Sequence, residues 1–191
     1  FYPAGAESAV TASGRGDLRQ VMTMLENSRL QVGTEYGLDV DRMTGLGGLD
    51  VSVRWPMLSE VPSEDILFNF KGGFVDAIAP DLAAGFGLRR TDLDVEVDNE
   101  GLLLRGAGRF GPAPVEFAWK EVFEGQDKGS TLNATAVVTP DLMNAFGFAA
   151  RTFMQGEAEV ELSAFGRGRD FEEIDAEFDF TDAALDLSDI G

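Results

Sequence analysis

Over most of the chain, apolar residues alternate one for one with charged or polar ones, the pattern of a half-exposed strand whose successive side chains point to opposite faces. From Gly48 onward, Leu49, Val51, Val53 and Trp55 alternate with Asp50, Ser52 and Arg54, and Ile66, Phe68 and Phe70 alternate with Leu67, Asn69 and Lys71. Leu93, Val95 and Val97 sit between Asp92, Asp94, Glu96 and Asp98. Asn99-Glu100-Gly101 then supplies turn chemistry ahead of Leu102, Leu103 and Leu104, so this stretch reads as a hairpin. The series continues through Val115, Phe117 and Trp119, then Leu132, Ala134, Ala136 and Val138, then Val160, Leu162 and Ala164, and closes with Ala176, Phe178 and Phe180. About eight or nine strands are predicted.

Short segments break the alternation. Asp17 stands as a helix N-cap before Leu18, Val21, Met22 and Leu25 at helical spacing, which predicts a helix of about three turns. Two near copies follow, offset by 60 residues: Pro80-Asp81-Leu82 leading to Phe86-Gly87-Leu88, and Pro140-Asp141-Leu142 leading to Phe146-Gly147-Phe148. Proline at the first helical position and glycine after the last predict a short helix or helical turn in each. Tyr36-Gly37-Leu38 reads as a weaker third copy. The repeated unit is turn-helix, glycine, then antiparallel strands, as in sheets that grow by adding similar pieces.

The fold class is therefore mainly β with a few short helices. One face of the strands carries Leu, Val, Phe and Trp, and the other carries most of the acidic residues. Two arrangements satisfy this. A curved sheet or groove would be apolar inside and anionic outside, and a two-sheet sandwich would bury the apolar faces against each other. A helix-containing segment is expected at about 14–44 and strand-rich repeats at about 45–191. The chain begins at Phe1 rather than Met and stops at Gly191 just after a patterned run, so it reads as a single fragment of a larger protein.

Composition narrows the chemistry. With no His and no Cys, the chain has no Ser-His-Asp triad, no thiol nucleophile and no nitrogen/sulfur zinc site. Against 34 acidic residues stand 15 basic ones, and the resulting charge of −19 repels phosphate backbones, so no nucleic-acid partner is expected. No run reaches the ~18–20 apolar residues a membrane-spanning helix needs. Gly106-Ala107-Gly108-Arg109-Phe110-Gly111 matches a dinucleotide fingerprint, but Pro112-Ala113-Pro114 leads into a strand instead of the helix that would receive a pyrophosphate. These glycines are expected at a bend or bulge where side chains would collide with a neighbouring strand. Asp94, Glu96, Asp98, Asn99 and Glu100 lack calcium-loop spacing and read as a solvated hairpin. Arg15-Gly16-Asp17 is explained by the helix cap, and Asn133-Ala134-Thr135 has no meaning outside a eukaryotic secretory setting. No catalytic residue, metal ligand or cofactor is nominated, and the chain is not read as an enzyme.

Taken in order, several pieces are similar to the AsmA-like family of Gram-negative envelope proteins, the YhdP and TamB relatives, and chiefly to the YhdP-like central region. They are Leu30-Gln31-Val32, Tyr36-Gly37-Leu38-Asp39, Thr44-Gly45, Gly106 through Gly108, Gly111, Pro114-Val115 and Trp119. Later come Leu142, Phe146-Gly147-Phe148, Gly156 before the Val160 strand, and Phe180-Thr181-Asp182-Ala183-Ala184-Leu185-Asp186-Leu187 with Ile190-Gly191. The resemblance implies a long periplasmic protein anchored in the inner membrane. Its antiparallel strands would curl into a hydrophobic groove that carries phospholipid acyl chains towards the outer membrane, supporting outer-membrane integrity. It favours groove over sandwich.

On this reading the lipid-binding lining, chosen by strand parity, is Val51, Val53, Trp55, Phe68, Phe70, Leu93, Val95, Leu102, Leu104, Phe117, Trp119, Val160, Leu162, Phe178 and Phe180. The alternative is a protein-interaction module that assists outer-membrane protein assembly, with an exposed strand edge pairing to an envelope protein.

Overall fold

The computed structural model describes residues 6–27, 32–167 and 170–186. Leu30, Gln31, Leu187, Ile190 and Gly191, which contribute to the family pattern, lie outside them.

The alternating segments form one antiparallel sheet of nine strands: β1 (Glu7–Asp17), β2 (Thr44–Pro56), β3 (Leu67–Ala83), β4 (Phe86–Asp98), β5 (Gly101–Phe110), β6 (Ala113–Val122), β7 (Gly129–Val138), β9 (Ala158–Arg167) and β10 (Asp170–Asp179). Each pairs with the next in the chain, and β7 pairs with β9 across the excursion that holds β8 (Met154–Gly156). The sheet is curved and unclosed, with β1 and β10 at its edges. β8 and β11 (Ala183–Leu185) make a separate two-stranded ribbon. The described residues do not form a sandwich, because three-residue strands cannot cover a nine-stranded face. β1, whose residues show little apolar alternation, is a strand that the sequence pattern does not reveal. It holds β2 in unbroken register from Glu7 opposite Pro56 to Asp17 opposite Leu46.

Local chemistry explains the connections. Helix α1 (Leu18–Glu26) starts where expected: the Asp17 carboxylate accepts from the Arg19 N–H at 2.8 Å, and Leu18, Val21 and Leu25 are buried. β1 runs up to the cap, and α1 follows it directly. At the β4–β5 turn, Asp98 Oδ1 accepts from the N–H groups of Glu100 and Gly101, and Asn99 pins the start of β3 by bonding the Phe68 N–H and the Ile66 carbonyl, each at 2.8 Å.

The two 60-residue copies adopt different structures. Pro140 opens helix α3 (Pro140–Ala145), capped by the Thr139 hydroxyl, which accepts from the Leu142 N–H. Pro80, expected to start a helix, lies within β3. The residue before it is Ala79, which has no capping oxygen, and Ala77 and Ala79 are both buried in strand alternation. A register shift between Ala79 and Ala83 accommodates the proline's missing donor. Ala84 and Gly85, both at positive φ, then close a two-residue type I′ turn into β4. Tyr36-Gly37-Leu38, by contrast, follows the α3 pattern. Helix α2 (Val32–Tyr36) and α3 both end in a positive-φ glycine, with the next N–H reaching back five residues, Leu38 to Gly33 and Phe148 to Met143.

Strand register places the apolar residues in rows across one face. One row runs Val51, Phe70, Val97, Leu102, and the next runs Leu49, Gly72, Val95, Leu104, Trp119, Leu132, Ala164, Ile174. The glycines of the false fingerprint serve this face. A Cβ on Gly106 would stand 2.6 Å from the Phe117 ring, and one on Gly108 would strike buried Thr91.

Candidate functional site

Cross-strand register puts the predicted lining residues of the nine-stranded sheet on one face. Phe180 lies just past the end of β10, so it is not a strand residue, but its ring stacks on Phe178 at 5.8 Å. Phe70, Leu93 and Val160 are buried, and the other twelve are half-buried. The lining is thus assembled from β2, β3, β4, β5, β6, β9 and β10, with Leu132, Ala134 and Ala136 of β7 completing its rows.

Two small layers rest on this face. Leu18, Val21 and Leu25 of α1, with Tyr36 and Met43, pack into a cluster with Phe70, Phe74, Leu88, Leu93, Val97 and Val115. The Tyr36 ring meets Trp119 of β6 edge-on at 5.0 Å, so the helical segment reaches from β2 across to β6. A second cluster joins Leu142 and Met143 of α3, Ala150 and Met154 to Ala113, Val138, Ala158 and Val160. Val53, Trp55, Leu132, Leu162 and Ile174 belong to neither cluster, and Ile174 is 60% exposed. The sequence pattern did not reveal that part of the face carries helices.

α1 is lashed to α2 by one carboxylate. Glu26 accepts from the N–H groups of Gly33, at 2.6 Å, and Thr34, at 3.1 Å, and from the Thr34 hydroxyl. The Thr34 hydroxyl first, and then these N–H groups, hold its pKa below the ordinary 4.5 against the opposing effect of desolvation. A carboxyl with a depressed folded-state pKa stabilises the lash above its ordinary value and loses that contribution as pH falls through the folded one. Acidification below 4.5 is therefore expected to loosen α2 and change Trp119 emission in a Trp55→Phe background. Glu26→Gln should remove that acid transition, and an identical titration in both proteins would refute the assignment.

The opposite face carries a shallow trough of about 880 Å³, walled by Asp92, Asp94, Glu116, Glu161, Asp175 and Glu177 with Arg105 as its cation. Glu161 and Glu177 stand directly opposite each other on β9 and β10. Among the described residues no group of acids is arranged to hold a metal ion. The β4 hairpin carboxylates have ordinary work: Glu96 pairs with Lys71 at 3.1 Å and Asp98 closes the turn.

Four polar groups on the apolar side escaped the parity argument. Thr91 is fully buried, and its hydroxyl donates to the Arg89 carbonyl at 3.2 Å. Glu121, two residues beyond Trp119 on β6, is buried on the same face and accepts from the hydroxyl of fully buried Ser130. The Trp119 Nε1–H is buried without a hydrogen-bond partner among the described residues. A signal for Glu121 was available: it occupies the next position in the series Val115, Phe117, Trp119 and breaks it with a charge.

No family model, curated protein or solved structure matches the chain.

Proposed function

We propose that this chain forms a stretch of apolar wall that carries phospholipid acyl chains within a longer bridge-like lipid transfer protein. The supporting observation is the apolar face itself. It crosses an unclosed sheet, has no opposing sheet among the described residues, and leaves Val53, Trp55, Leu132, Leu162 and Ile174 outside both packed clusters. Apolar surface of this kind gains roughly 25 cal/mol per Å² on being covered, whatever the apolar partner, so acyl chains would be held without residue-specific chemistry. The reading involves no reaction, cofactor or metal. On the resemblance noted above, the parent protein would sit in the periplasm, anchored in the inner membrane, and pass lipid towards the outer membrane in support of its integrity. Purification under mild conditions followed by native mass spectrometry and lipid extraction tests this reading. Phospholipid bound in defined stoichiometry would support it, and a lipid-free, stably folded protein would refute it.

A second reading rests on the sheet edges. β1 offers eleven residues whose outer backbone groups are unpaired among the described residues, without proline or bulge to discourage strand addition. An envelope protein adding a strand there would protect β1 amides from hydrogen exchange and leave lipid content unchanged.

A further inference from the structure

A carboxylate buried in an apolar wall is costly unless a cation meets it. Glu121 is 7% exposed, lies on the apolar face between Leu102 of β5 and Ser130 of β7, and has no lysine or arginine partner among the described residues. The Ser130 hydroxyl donates to its Oε2 and orients the carboxylate without neutralising it. Two residues away on the same face, Trp119 presents a buried N–H with no acceptor among the described residues. An acceptor seeking a cation and a donor seeking an acceptor therefore stand side by side. They sit close to where β6 leaves the sheet at Phe123, whose N–H bonds the Glu100 carbonyl at 2.9 Å.

We infer that Glu121 and Trp119 form a headgroup site at one end of the apolar face, selective for amphiphiles that carry a protonated amine. The inference rests on the lipid-wall reading and names its substrate class. The ammonium donates to Glu121, the lipid's ester or phosphate oxygen accepts from Trp119 Nε1–H, and the acyl chain runs from there over Leu132 of β7 and Leu162 of β9, which belong to neither packed cluster. A bare metal ion would need three or more oxygen ligands, which the described residues do not gather here. An anionic headgroup without an amine would be repelled by Glu121.

The test is to incubate the purified chain with vesicles of equal phosphatidylethanolamine and phosphatidylglycerol, re-isolate it and identify the bound lipid by native mass spectrometry. The wild-type protein is expected to enrich phosphatidylethanolamine on the order of tenfold, the effect of one charge-assisted hydrogen bond. Glu121→Gln should bind the two lipids at the vesicle ratio, while Trp119→Phe should bind less lipid with the enrichment preserved. Lipid bound without enrichment, or enrichment that survives Glu121→Gln, overturns the headgroup site and leaves the wall reading standing. No bound lipid at all overturns both. If Glu121→Gln fails to fold, the wild-type protein is offered N-acetylated phosphatidylethanolamine, which has no cation. Loss of enrichment then supports the site, and persistence overturns it.

Discussion

Leu162→Glu is expected to lower the lipid bound per protein at least about tenfold while the fold survives. Leu162 faces the apolar side between Ala134 of β7 and Ala176 of β10, is half-buried and belongs to neither packed cluster, so folding gains little from its side chain. An ionised carboxylate facing an acyl chain is desolvated without a partner, which costs several kcal/mol and so more than a factor of ten in binding. Phe117→Glu and Val95→Glu should reduce lipid capture too. Both side chains, however, pack against the cluster beneath α1, and Phe117 fills the space over Gly106, so those variants lose fold stability along with the site. Leu162 separates the two effects. Native mass spectrometry with circular dichroism reads both, and undiminished lipid on a folded Leu162→Glu protein would sink the wall reading.

Phe74→Ala is expected to cost about 3–5 kcal/mol, a large share of the roughly 5–15 kcal/mol that holds an ordinary domain. Phe74 is 2% exposed and lies under the α1 layer. Glycines flank its ring: a Cβ at Gly47 would come within 2.6 Å of it, and one at Gly72 within 3.0 Å. Two strands have thus given up side chains to seat one ring, and removing the ring leaves a cavity that a sheet tied by hydrogen bonds cannot close. Leu46→Ala, at a position 67% exposed, should change stability by no more than about 0.5 kcal/mol. Urea unfolding midpoints compare the two, and equal shifts would contradict this account of the core.

Much of this architecture was legible along the chain because period two is a local property. Whether Val51, Val95 or Leu162 shares a face with its neighbours follows from alternation alone, and adjacent antiparallel strands carry that face across the sheet. The Asp17 cap and the Asn99 turn were equally local, each a side chain bonding backbone within reach. What the pattern misjudged were places where a distant neighbour decides. Pro80 and Pro140 sit in nearly identical strings, yet one stays in a strand where Ala77 and Ala79 are buried, and the other starts a helix because Thr139 caps it. β1 carries almost no apolar alternation and is a strand because β2 pairs with it along its whole length.

Local sequence, then, set the strands, their apolar face, the caps and the absence of His and Cys chemistry. Long-range packing chose a single open sheet over a sandwich, brought Tyr36 across to Trp119, and enclosed Glu121 with Ser130 beside an unmatched indole N–H. Alternation records which side a residue faces. It cannot record what comes to lie over that side, because the covering segments are distant in sequence and are held by contacts that arise only when the sheet curves.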